Sequence, residues 1–154
     1  MPEARIVAQI RRRWPKVRVL LRADSDFARE ALMAWCENND VDFLFGLAKN
    51  ARLNAEIATE LAVAQEQSQR TGQPARRFRD FTWQTRQSWS RERRVVAKAE
   101  WTGGEANPRF VVTSLALRIT SPTRSTSSVA MTCAAPALMS RASFSEVRVS
   151  VMVE

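Results

Sequence analysis

The sequence has 154 residues, a formal net charge of +8 and no histidine, and its basic side chains are 21 Arg against 3 Lys. Lack of histidine excludes Ser–His and Cys–His nucleophile pairs and any His-ligated zinc site. The arginine surplus suits a polyanionic partner, because the guanidinium fork matches phosphate geometry; simple solubility is the competing explanation.

The length is enough for one domain with a sizeable core. Cys36 and Cys133 are far apart and make no metal-ligand spacing. Cys36 falls within an apolar helical stripe, so a buried reduced thiol is expected, in a reducing compartment such as the cytoplasm. The N-terminus shows no signal-peptide pattern, and no apolar run is long enough to span a membrane.

In chain order, residues 3–13 read as a helix with Ile6, Val7, Ile10 and Trp14 on one face and Arg11, Arg12 and Arg13 in its last turn, closed by Pro15. Residues 17–23 alternate as a strand and deliver Asp24. A helix follows over 27–38, with Phe27, Ala31, Ala34 and Trp35 as its apolar stripe and Glu30, Met33 and Glu37 facing away. Val41, Phe43, Phe45 and Leu47 alternate into a second strand. Strand, helix and strand over about thirty residues predict a βαβ unit with parallel strands. One helix is expected over 51–69, ended by Gly72 and Pro74. Alternation and turn signals over 76–115 predict an antiparallel meander beside the α/β unit. The fold expected is therefore α/β: a partial core at 1–50, a helix plus a β-rich insertion at 51–115, and a poorly structured tail at 116–154. That tail holds 12 Ser or Thr and only 6 charged residues, with Val147, Val149, Val151 and Val153 as its one late alternation.

Asp24 stands where a strand ends, the place where ligands gather in open α/β sheets. A carboxylate there holds a hard cation such as Mg²⁺, or it caps the next helix; Asp26 is well placed for the same capping role. Arg76, Arg77, Arg79, Arg86, Arg91, Arg93 and Arg94 crowd one stretch in which Trp83 and Trp89 are interleaved. This suits a phosphate-contacting face with a base-stacking aromatic, or the solvated side of a two-faced sheet with the tryptophans in the core.

The runs from Arg22 to Glu37, Phe43 to Leu53, Ser88 to Val95 and Lys98 to Leu115 resemble the DDE-type transposases of bacterial insertion sequences, group 1, over about residues 3–115. Asp26 departs from the glycine usual in that family. The resemblance implies a ribonuclease H-like core in which three carboxylates hold two Mg²⁺ ions for DNA strand cleavage and joining. It makes Asp24 the second of the three carboxylates, catalytic and metal-binding. The first belongs to an upstream strand that this chain begins too late to contain. The third, a Glu in a helix after the insertion, is not found after Leu115, and Glu146 and Glu154 lie in the wrong context. The resemblance therefore implies a truncated, inactive transposase, with DNA and either a second copy or an intact relative as partners. A DNA-binding fragment without catalysis, and an unrelated metal-dependent nuclease using Asp24 and Asp26, are the alternatives. The resemblance ends abruptly at Leu115, so the tail is expected to come from a shifted reading frame, or else to be a divergent segment with a strand at 147–153. One edge of the sheet is expected to lack its neighbour, which would make the isolated chain poorly soluble.

Overall fold

The computed structural model describes residues 1–116 and 148–152. Helix α1 (Pro2–Arg13) carries Pro2 and Glu3 in its first turn and three arginines in its last, which suits both ends of the helix dipole. Arg11 donates to the Asp40 carbonyl at 3.0 Å and so ties the end of α1 to the start of the second strand. Strand β1 (Arg18–Ala23) leads through a 3₁₀ turn at Ser25–Phe27 into α2 (Glu30–Asn38), and β2 (Val41–Leu47) follows. The two strands are parallel, with Val19 opposite Val41 and Ala23 opposite Phe45, as the βαβ pattern predicts.

Three expectations for the helices change. The helix after β1 starts at Glu30, not at residue 27, because Ser25–Phe27 winds more tightly as a 3₁₀ turn. Its buried side chains are Leu32, Met33 and Cys36, so Met33 faces the core while Ala31 is exposed. The larger side chains bring more apolar area to the sheet than Ala31 or Ala34 can. The segment expected as one helix over 51–69 is two, α3 (Ala51–Glu56) and α4 (Ala58–Thr71), divided at the fully buried Ile57. Asn50 caps α3 by accepting from the Leu53 amide at 3.0 Å, and Gly72 ends α4 in the left-handed conformation (φ 69°) that favours glycine.

Strands β3 (Ala75–Trp83), β4 (Arg93–Thr102), β5 (Glu105–Ala106) and β6 (Arg109–Thr113) form the antiparallel meander. It does not stand apart from the α/β unit. β6 pairs antiparallel with β2, Phe45 opposite Val112, so the described strands make one mixed sheet in the order β3-β4-β6-β2-β1-β7, with the short β5 beside β4. β7 (Arg148–Met152) pairs antiparallel with the outer edge of β1. The edge expected to be open is thus occupied, and Val149 and Val151 of the late alternation lie in a strand; the rest of the predicted tail, 117–147 and 153–154, lies outside the described residues.

One face of this sheet carries the core. Val19, Leu21, Phe43, Phe45, Val95, Ala97, Phe110 and Val112 meet Val7 of α1, Leu32, Met33 and Cys36 of α2, and Leu53 of α3. Burial in this layer pushes the Cys36 thiol up to about 12, so it is a protonated core side chain, as expected. Trp83 and Trp89 belong to the same core, at 7% and 5% exposure, which decides against base stacking by either.

Candidate functional site

Asp24 follows the last residue of β1 and leaves the strand with an extended backbone (φ −79°, ψ −170°). Its Oδ1 accepts the Asp26 amide at 3.1 Å, and its carbonyl accepts the Phe27 amide at 3.3 Å. Asp24 is therefore the cap of the 3₁₀ turn, and Asp26, expected as a helix cap, is not; Arg29 precedes α2 without a side-chain cap. The Arg29 Nε donates to the Asp26 carbonyl at 2.8 Å and fixes the far end of the turn. Capping and metal binding do not compete for the same atom. Asp24 is only half-buried, and its Oδ2 has no hydrogen-bond partner among the described residues.

The turn lies directly on β2. A Cβ on Gly46 would sit 3.0 Å from the Ser25 amide nitrogen and 3.2 Å from the Asp24 carbonyl carbon. Both are backbone atoms with no freedom to swing aside, so the glycine allows the Asp24–Ser25 peptide to close over the end of the neighbouring strand. Gly46 is a site residue that sequence reasoning missed. An isolated glycine inside a strand pattern does signal close backbone approach, and that was the available clue.

The seven nominated arginines do not form one face. Alternation along a strand sends Arg76 and Arg77 to opposite sides of the sheet, and likewise Arg93 and Arg94. Arg93 is 5% exposed and lies between two helix carboxylates, donating from Nη1 to Glu30 at 2.7 Å and from Nε to Glu37 at 2.8 Å. A guanidinium held there joins β4 to α2 and is withdrawn from any phosphate, so Arg93 leaves the DNA-contacting set. Arg94 holds Asp80 through two nitrogens and also reaches the Leu115 carbonyl. Arg79 pairs with Glu60 at 3.4 Å and Glu56 at 3.8 Å. Arg76, Arg77 and Arg91 are exposed but reach Glu100, Gln67 and Glu37 respectively. Arg86 alone of the seven has no side-chain partner among the described residues.

The cluster around Arg93 was not foreseen. Ser90 donates to Glu30 from both its amide, at 3.1 Å, and its hydroxyl, at 2.6 Å. The Arg93 hydrogen bond, with those from Ser90, holds the Glu30 carboxyl down at about 2. Burial pulls the Glu37 carboxyl upward, but the Arg93 and Arg91 hydrogen bonds outweigh it and leave it lowered. The signal lay in Glu30 and Glu37, two turns apart on one face of α2.

The family model for the transposase DDE domain, group 1, matches residues 4–128. The chain belongs to that family. Membership sets aside the alternative of an unrelated nuclease. Neither the curated proteins nor the solved structures contain a significant match. The match of the DDE domain runs past Leu115, so the abrupt end expected there is corrected, and the Ser- and Thr-rich composition begins inside the matched span. DDE transposases act on DNA and typically use divalent metal, and the mixed α/β sheet of this chain is consistent with such a domain. The donor set here does not fit a two-metal centre: among the described residues no three His, Cys, Asp or Glu side chains come together. Asp24 offers one oxygen, whereas two close divalent ions need several. No helix among the described residues is long and apolar enough to cross a membrane.

Proposed function

We propose that this chain is a DNA-engaging portion of a DDE transposase, with a partial ribonuclease H-like core, that carries Asp24 as its second metal-binding carboxylate and does not cut DNA alone. The carrying observation is Asp24 itself. It stands at the carboxyl end of a strand with a parallel neighbour, its Oδ2 is unpartnered, and no two further carboxylates join it among the described residues. Strand cleavage through two Mg²⁺ ions would need those carboxylates from elsewhere, from an intact relative or a second copy. In a bacterial cell such a protein meets DNA in the cytoplasm.

DNA affinity is assigned to the arginines that face water. Exposed pairs contribute little and exchange readily, so Arg76, Arg77 and Arg91 can leave their partners for phosphate, and Arg86 has no partner among the described residues. Arg79 and Arg94 are more firmly held and contribute less. The test is a salt titration of duplex binding. Wild type should lose log affinity by about 0.9 per phosphate contacted for each decade of salt. Replacing Arg76, Arg77, Arg86 and Arg91 together with Ala should flatten that slope; an unchanged slope would return them to the solvated-face role. The tail beyond the matched span is proposed to derive from a shifted reading frame, and the other frames of the gene, read after codon 128, decide it.

A further inference from the structure

We propose that Arg109 is a phosphate-positioning residue for a DNA strand lying beside Asp24. The inference rests on the DNA reading above and adds to it a residue outside the arginine cluster. Phe110 and Val112 of β6 point into the core, so by alternation Arg109 and Val111 lie on the opposite face of the sheet. Val111 is directly opposite Gly46, the residue on which the Asp24–Ser25 peptide rests. Arg109 is one strand across and two residues along from Gly46, about 8 Å between Cα atoms from ordinary strand spacings. An arginine side chain spans most of that distance.

Arg109 is also one of the cations that no carboxylate claims among the described residues. It is exposed and has no hydrogen bond or ion pair among the described residues. Lys98, opposite it on β4, is buried and held by Glu100 at 2.8 Å. The same Glu100 fixes the approach to Arg109: its carbonyl accepts the Asn107 amide at 2.8 Å, its carboxylate lies 3.4 Å from the Asn107 side-chain amide, and Pro108 between them is buried. A guanidinium without a partner among the described residues, on a rigid mount two strands across the sheet from the Asp24 turn, is arranged to hold one phosphodiester of a strand whose next phosphates reach that carboxylate.

The test is a double-mutant cycle on the full chain, read by anisotropy of a fluorescein-labelled 30-base-pair duplex in metal-free buffer across a salt series. Asp24→Asn keeps an oxygen for the Asp26 amide but removes the charge. Arg109→Ala should lower the slope of log affinity against log salt by about 0.9. Asp24→Asn should tighten binding by roughly threefold to tenfold by removing repulsion near the held phosphate, and that gain should vanish in the Arg109→Ala background. Arg109→Lys should restore most of the slope, which separates lost contact from misfolding. An unchanged slope in Arg109→Ala, or a gain from Asp24→Asn that survives in it, overturns the assignment of Arg109. Absence of salt-sensitive binding by the wild type instead overturns the DNA reading on which it stands.

Discussion

Asp24 and Gly46 constrain one another, and the constraint is testable one atom at a time. Gly46→Ala sets a methyl against two backbone atoms at 3.0 and 3.2 Å, so either β2 or the 3₁₀ turn has to move. The expected cost is about 1–3 kcal/mol, the range for overpacking, measured as a shift in urea midpoint. Asp24→Ala loses only a cap on the Asp26 amide and should cost about 1 kcal/mol. Equal, negligible losses in both variants would mean that the turn is not seated on β2. The place of Asp24 was legible because the sequence alternation of Val17, Val19, Leu21 and Ala23 fixes where the strand ends. Which Asp caps was not, since Asp24 and Asp26 both precede a helix and the choice depends on a 3₁₀ turn that the pattern does not reveal. The role of Gly46 depends on a turn folding back from an earlier part of the chain, a tertiary fact with only a weak local sign.

At the scale of elements, the Arg93 cluster locks α2 onto β4 and so fixes the helix that follows the Asp24 turn. Its side chains are mostly out of water: Arg93 at 3% exposure, Glu37 at 17% and Glu30 at 28%. Arg93→Met leaves Glu30 with only its Ser90 donors and Glu37 with only Arg91, and should destabilise by about 3 kcal/mol, the low end for breaking a buried pair. The linked pH dependence has a definite sign. Glu30 falls from 4.5 to about 2 on folding and Glu37 is lowered as well, so both stabilise the fold above their unfolded values. That contribution is complete above about pH 5 and is lost as pH falls from 4.5 toward 2. Urea midpoints across this window should drop in wild type and drop much less in Arg93→Met. A parallel fall in both proteins would assign the acid sensitivity to other groups. Sequence reasoning gave Arg93 to DNA because its neighbours are arginines. The strand period separates those neighbours, and a carboxylate pair on another element claims the one that turns inward.

At the scale of the whole molecule, the parallel βαβ unit and the meander were each legible, because local periodicity encodes them. Their union was not. The pairing of β6 with β2 joins residues far apart in sequence, and both strands have apolar faces that would suit other partners equally well. The same holds for β7, whose valines announce a strand but not the edge of β1 as its place. β7 covers the apolar edge of β1 and becomes the terminal strand itself, so the open edge expected at β1 is moved outward to β7. The candidate site follows the same division. One carboxylate was readable from the sequence, while the partner atoms that make or fail to make a metal centre depend on elements brought together from separate parts of the chain.

Asp24 is proposed to occupy a catalytic position whose other carboxylates are not brought together among the described residues. The most direct test of that central claim is nicking of supercoiled plasmid by the purified full chain with Mg²⁺ or Mn²⁺, run beside Asp24→Ala. The account predicts no relaxed product from either protein. Metal-dependent relaxed circles from the wild type that disappear in Asp24→Ala would contradict it.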